Sequence, residues 1–110
     1  MTKNYKDFSI DAYSWETRNA WGHKAILYYK GHKINEHKIT YYNRTWESYE
    51  YQSVMLGVIS NELQYLLDSE IDEYKERHNI KRLSQAKKDE IANNMDNDLY
   101  RDLHEFYNTL

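Results

Sequence analysis

The order of hydrophobic and polar residues divides the chain into a β-like first part and a helical second part. An apolar and aromatic run over residues 24–29 lies between Gly22 and Gly31, and residues of high β propensity resume over residues 33–42. Gly31 can adopt the positive φ that a tight hairpin turn needs. This pattern predicts an antiparallel β-hairpin over residues 20–42.

The second strand of this hairpin does not alternate regularly. Ile34 and Ile39 are separated by an odd number of residues, so they would face opposite sides of a regular strand. A β-bulge or a bend near Asn35 and Glu36 would reconcile the two positions.

A long helix is predicted over residues 46–77. Asn43 or Thr45 can cap its start. Gly57 costs this helix about 1 kcal/mol relative to alanine, while its small size favours close packing. The apolar residues that recur at helical spacing are Tyr51, Met55, Val58, Ile59, Leu63, Leu66, Leu67 and Tyr74.

A second helix is predicted over residues 84–109, with Ser84 as its N-cap. Its apolar face consists of Ile91, Met95, Leu99, Leu103, Phe106 and Leu110. The two apolar faces pack most simply on each other and on one face of the hairpin. The predicted fold class is therefore α+β: an antiparallel β-hairpin or small sheet packed against two C-terminal α-helices, the first one long, in a single domain over residues 1–110.

Composition narrows the classes of function. The chain has 110 residues and no cysteine, which excludes a disulfide scaffold, a thiol nucleophile and a thiolate metal site. No run approaches the roughly 18 apolar residues of a membrane span. The first ten residues also lack the apolar core of a secretory signal. We therefore expect an intracellular protein with no membrane contact.

The residues that most often carry catalysis or bind metals are scattered. No two histidines have the helical spacing of a metal site, no serine lies in a nucleophile elbow, and the three glycines form no phosphate-binding loop. We expect no enzymatic activity, no metal site and no cofactor. The histidines concerned are His23, His32, His37, His78 and His104.

Charge differs between the two parts. Residues 1–46 carry eight Lys/Arg and four Asp/Glu, whereas residues 47–110 carry seven and fourteen. A solvated helix face explains such carboxylates; the alternative is a surface that imitates nucleic-acid phosphates and occupies the nucleic-acid groove of an enzyme. One acidic group lies late in the long helix: Asp68, Glu70, Asp72, Glu73 and Glu76. A second lies along the last predicted helix: Asp89, Glu90, Asp96, Asp98, Asp102 and Glu105.

Basic and aromatic residues interleave in the hairpin. Phosphate-binding side chains beside aromatic faces are typical of single-strand nucleic-acid binding, and the candidates are Lys24, Lys33, Lys38 and Arg44. Exposed tyrosines such as Tyr28 and Tyr41 are also typical of protein–protein hot spots. The net charge of −3 favours protein docking over direct nucleic-acid binding.

The junction between hairpin and long helix carries a recognisable pattern. Residues 41–52 match Tyr-x-Asn-Arg-Thr-Trp-Glu-x-Tyr-x-x-Gln, preceded by Trp21-Gly22-His23-Lys24-Ala25. This resembles a strand-to-helix segment of small accessory proteins of Gram-positive phages and plasmids. The resemblance implies an anti-CRISPR-like, counter-defence role in the cytoplasm of a bacterial host cell. A structural junction explains the same residues without any function.

The leading hypothesis is a non-catalytic, anti-CRISPR-type inhibitor. It would bind a host RNA-guided nuclease, suspected to be of type II, or its guide-RNA complex, and block nucleic-acid access or activation. The expected contact residues are Asp68, Glu70, Asp72, Glu73, Glu76, Tyr28 and Tyr41. The alternative is a nucleic-acid-binding phage or plasmid accessory protein that uses Lys24, Lys33, Lys38 and Arg44. A homodimer would also complete the core of so short a chain.

Overall fold

The computed structural model describes residues 1–41 and 50–110 of the chain. Within these two ranges, four strands are followed by three helices: β1 (Thr2–Tyr5), β2 (Phe8–Glu16), β3 (Trp21–Tyr29), β4 (His32–Tyr41), α1 (Glu50–His78), α2 (Gln85–Asn93) and α3 (Asp98–Thr109). The strands form one antiparallel sheet in the order β1-β2-β3-β4. The α+β fold class is therefore confirmed, and the predicted hairpin corresponds to β3 and β4.

The first two strands extend the hairpin into a four-stranded sheet that the sequence analysis did not predict. Phe8, Ile10 and Ala12 are buried and alternate with more exposed residues along β2, which is the pattern of a strand with one face on a core. β1 has only four residues and no such alternation. Its place at the sheet edge is fixed by pairing with β2.

The β-bulge predicted in the second hairpin strand is present. Leu27 pairs with Asn35 but Tyr28 pairs with Lys33, so Ile34 is the extra residue. The bulge lies next to the predicted position. The bulge does not bring the two isoleucines to the same face as expected, since Ile34 is exposed whereas Ile39 packs against the core.

One face of the sheet is covered by α1 and α3, and the core lies between these layers. Its buried residues are Phe8, Ile10, Ala12, Ala25, Leu27, Val54, Met55, Val58, Ile59, Leu103 and Phe106. Full burial of a large apolar side chain stabilises the fold by about 1.5–3 kcal/mol, so this cluster holds the helices on the sheet. We call the covered face the inner face and the opposite one the outer face.

The single helix predicted over residues 84–109 is wrong, because the structure has two helices with a break at residues 94–97. Asn and Asp side chains compete for backbone hydrogen bonds, and they occupy most of this break. The Asn97 side chain accepts hydrogen bonds from the backbone N–H groups of Leu99 (2.9 Å) and Tyr100 (3.2 Å) and thereby starts α3. Ser84 caps α2 as predicted, since its hydroxyl accepts from the N–H of Lys87 at 3.2 Å.

The long helix α1 ends one residue beyond its predicted end. The predicted start at residue 46 and the predicted caps Asn43 and Thr45 lie outside the described residues. Gly57 provides the expected close packing, because the His37 ring occupies the space that a Cβ there would need. In the parts of the chain that the structure describes, no helix combines the length and apolar character needed to cross a bilayer.

Candidate functional site

The residues expected to contact a partner lie in three separate regions. The acidic group is on the C-terminal half of α1, Tyr28 is on the outer face of the sheet, and Tyr41 is on the inner face at the end of β4. The two tyrosines therefore do not share a surface with each other or with the carboxylates.

Tyr41 belongs to an aromatic cluster where the sheet meets the start of α1. Its ring stacks on Trp21 at 4.7 Å between centroids, and the ring of buried His23 lies 4.8 Å from that of Tyr51. The Ser14 hydroxyl lies 3.2 Å from His23 Nδ1 and 2.8 Å from the Tyr51 hydroxyl. These contacts join β2, β3, β4 and α1 and hold the helix in register on the sheet.

The C-terminal half of α1 extends past the hairpin end of the sheet. Glu62 accepts a hydrogen bond from Asn35 Nδ2 at 2.9 Å, close to the start of β4. The helix continues from there to His78, which adds about 24 Å at 1.5 Å per residue. Beyond Leu66 its buried side faces α2 instead of the sheet.

Four exposed carboxylates form what we call the acidic ridge: Asp68, Asp72, Glu73 and Glu76. Asp68, Asp72 and Glu76 follow one another at intervals of four, so they form a row about 12 Å long on one side of the helix. Glu70, also expected at the site, is partly buried and projects about 160° away from Asp72 around the helix axis.

Most acidic residues on the other helices are paired with cations. Lys6 Nζ lies 3.0 Å from Asp102 Oδ1 and 3.2 Å from Glu105 Oε2, and Asp98 pairs with Arg101 at 3.2 Å. The hydrogen bond from Lys6 lowers the pKa of Asp102, and the hydrogen bond from the Tyr5 hydroxyl does so for the pKa of Glu105. The second acidic group therefore does not form one face.

The acidic ridge is different, because none of its carboxylates makes an ion pair within residues 1–41 and 50–110. Within the helix, Asp68 Oδ1 accepts a hydrogen bond from Gln64 Nε2 at 2.8 Å. Between Asp68 and His78 the helix has five carboxylates and two Lys/Arg residues. Most acids of α2 and α3 are thus paired with cations, whereas the carboxylates of the acidic ridge face solvent without an ion pair among the described residues.

The acidic ridge borders a groove of about 570 Å³ between α1 and α2. Leu67 and Ile71 form its apolar part. Asp68, Asp72 and Lys75 line the α1 side, and Lys88 lies on the α2 side. Sequence analysis could not identify this groove, since it depends on the break that separates α2 from α3.

Tyr65 is a further surface residue that the sequence analysis missed. It is 63% exposed, the largest exposure among the large hydrophobic residues of the helices. Because Tyr65 and Asp72 are seven residues apart, they project from the same side of α1. An unpacked aromatic ring therefore lies at one end of the acidic ridge.

The basic candidates lie on the outer face of the sheet, apart from Arg44, which is outside the described residues. Lys24 Nζ and Lys33 Nζ both contact Glu36 Oε2, at 3.1 and 2.7 Å. These hydrogen bonds, the one from Lys33 first, lower the pKa of Glu36. Lys38 Nζ lies 4.0 Å above the centroid of the Trp15 ring.

Within the described ranges, no three His, Asp or Glu side chains come together in a way that could hold a metal ion. Comparison of the chain with protein-family models, with curated protein sequences and with solved structures finds no match. Any assignment of function therefore depends on the surfaces themselves.

Proposed function

We propose that this protein is a non-catalytic inhibitor of the anti-CRISPR type, which binds a host RNA-guided nuclease through the acidic ridge. The observation that supports this proposal is the absence of cationic partners for the ridge within the described residues, while the acids of α3 are paired. Exposed carboxylates that make no ion pair among the described residues are available to a basic partner.

RNA-guided nucleases offer a complementary surface, since they hold nucleic acid in positively charged channels. The C-terminal half of α1 lies beyond the sheet and α2 packs along one side of it, which leaves the exposed carboxylates of the acidic ridge able to face such a channel. The acidic ridge carries fewer charges than a duplex, which has one phosphate per ~1.7 Å of axis. Charge alone would therefore give steering and orientation, and tight binding would require an additional contact.

Tyr65 supplies that additional contact. Tyrosine is enriched among the few residues that dominate the energy of protein interfaces, especially when it fills a pocket on the partner. Its position at one end of the acidic ridge would let the carboxylates orient the helix while the ring is buried. The whole contact would block nucleic-acid access without any chemical step.

The test is DNA cleavage by a guide-loaded type II nuclease in the presence of the protein. Replacing Asp68, Asp72, Glu73 and Glu76 together by lysine should abolish inhibition, and Tyr65→Ala should weaken it about tenfold or more. The matched control replaces four other exposed acids by lysine and should inhibit like the wild type; these are Asp7, Glu16, Asp96 and Asp98. Full inhibition by the ridge variant would refute the proposed mechanism.

A further inference from the structure

The outer face of the sheet combines cations and aromatic rings in rows set by the strand register. Tyr13, Lys24 and Lys38 are neighbours across β2, β3 and β4, and Tyr28 and Lys33 are neighbours across β3 and β4. We call these five residues the lysine–tyrosine face. No helix of the described chain covers it, because α1 and α3 pack on the inner face.

Two of these lysines converge on one oxygen atom. Lys24 and Lys33 both reach Oε2 of Glu36, so two ammonium groups are held around a single anionic oxygen. The hydrogen bond to Glu36 raises the pKa of Lys24, which keeps this ammonium group charged. An oxygen of a phosphate group has the same charge and hydrogen-bonding capacity as the oxygen that Glu36 places there.

The aromatic rings beside these cations are accessible. Tyr13 is 44% exposed and Tyr28 is partly exposed on the same face. Tyr13 was missed in the sequence analysis because β2 was not predicted. Flat rings on an open sheet can stack on unpaired bases, whereas the bases of a duplex are already stacked on one another.

We propose that the lysine–tyrosine face binds single-stranded nucleic acid, and that Glu36 limits this binding by occupying Lys24 and Lys33. The three lysines contact phosphates and the two tyrosines stack on bases. The excess of lysine over carboxylate on this face, where Asp11 and Glu36 are the acids, favours a polyanion as the occupant. This site is on the opposite side of the sheet from the helices, so it does not depend on the proposed inhibitor function.

The decisive variant is Glu36→Gln, because a basic surface that acts only as a solvated face would not respond to it. Freeing both lysines should tighten binding to a labelled oligothymidylate by about two- to fivefold, the range that an exposed ion pair represents. Fluorescence anisotropy measures this change. An oligouridylate of the same length forms the second arm and shows whether the 2′-hydroxyl contributes.

Variants at the lysines and tyrosines should weaken binding to nucleic acid. Replacing Lys24, Lys33 and Lys38 together by glutamine should reduce the slope of log affinity against log salt by about 2, at about 0.7 per phosphate contact on a single strand. Tyr13→Leu and Tyr28→Leu should each weaken binding about tenfold. The matched control is glutamine at Lys75, Lys81 and Lys88 on the helical side, which should leave the salt slope unchanged.

Circular dichroism establishes that each variant is folded before binding is compared. If the triple lysine variant does not fold, Glu36→Gln and the two tyrosine variants still decide the question. Unchanged or weaker binding by folded Glu36→Gln to both oligonucleotides would overturn the proposal. An unchanged salt slope in the folded triple variant would overturn it as well.

Discussion

Gly57 lies where α1 packs against the ring of His37 in β4. A Cβ atom there would lie 2.6 Å from Nε2 of His37, and it would be closer still to Cδ2 of the same ring. The ring is also held by Asn61, whose Nδ2 lies 3.2 Å from His37 Nδ1. Glycine thus lowers the helix propensity at this position but leaves room for the His37 ring to pack against α1.

We therefore expect Gly57→Ala to change the free energy of unfolding in opposite directions with and without the His37 ring, which a double-mutant cycle can measure. Gly57→Ala should lower the free energy of unfolding by about 1 kcal/mol in the wild type, because overpacking outweighs the gain in helix propensity. In a His37→Ala background the ring no longer fills this space, so Gly57→Ala should raise the free energy of unfolding by about 1 kcal/mol. Urea denaturation of the four proteins measures both values, and equal effects in the two backgrounds would show that the ring does not set the packing.

Glu62 is a buried carboxyl group between α1 and β4. Burial raises its pKa, and the hydrogen bond from Asn35 only partly opposes this. Because the folded pKa lies above the unfolded one, the folded state binds more protons between these two values. The free energy of unfolding therefore falls as the pH rises through this interval, and the resulting penalty persists at higher pH.

Glutamine at position 62 should remove this penalty while keeping a hydrogen bond to Asn35. We expect Glu62→Gln to unfold at a higher temperature than the wild type at pH 7, with the difference shrinking as the pH falls towards the unfolded pKa of about 4.3. Thermal unfolding over a pH series measures this. Glu36→Gln is the control: because the pKa of Glu36 is lowered in the fold, this variant should unfold at a lower temperature than the wild type at pH 7. A difference for Glu62→Gln that did not change with pH would contradict this explanation.

At the scale of elements, α2 and α3 are attached to the fold in different ways. α3 buries Leu103 and Phe106 in the core, and its side chains bind Tyr5 at the end of β1 and Lys6 in the turn that follows. α2 has no buried residue. Loss of an N-cap should therefore have different consequences for the two helices.

Asn97→Ala should lower the free energy of global unfolding by about 1 kcal/mol, the usual cost of losing an N-cap side chain. Ser84→Ala removes the equivalent cap from α2 but should change global stability less, since α2 can fray without exposing the core. Denaturant unfolding followed by tryptophan fluorescence compares the two variants. Equal losses would mean that α2 unfolds together with the rest of the molecule.

Local sequence signals account for the elements that were predicted correctly. Gly31 has a φ of +81°, a conformation that favours glycine, and this glycine is the signal that predicts the β3–β4 turn. The strand β1 was not predicted because it is a short edge strand whose residues do not alternate between buried and exposed, so only its pairing with β2 defines it. The break at residues 94–97 was missed because the apolar residues on either side keep helical spacing across it.

The candidate surfaces were predictable only in part. The clustering of carboxylates late in α1 is apparent from the sequence, but which of them are paired depends on tertiary contacts such as those of Lys6 with α3. Likewise, the convergence of Lys24 and Lys33 on Glu36 requires the bulge at Ile34, since this sets which residues of β4 share the outer face. The exposure of Tyr65 could not be deduced from helical periodicity alone.

At the scale of the whole molecule, the two layers present opposite chemistry. The sheet has an outer face of lysines and aromatic rings, and the helical layer ends in the acidic ridge beside Tyr65. Opposite charge on opposite sides lets one small protein meet a basic channel with one side and a polyanion with the other. The proposed inhibitor function and the proposed nucleic-acid site are therefore compatible, and each can be tested without the other.

The most direct test of the central claim is size-exclusion co-elution of the purified protein with a guide-loaded type II CRISPR nuclease. We predict that the wild type co-elutes and that the control with lysine at Asp7, Glu16, Asp96 and Asp98 does so equally. The variant with lysine at all four positions of the acidic ridge should elute alone. Co-elution of the ridge variant, or failure of the wild type to co-elute, would contradict the account.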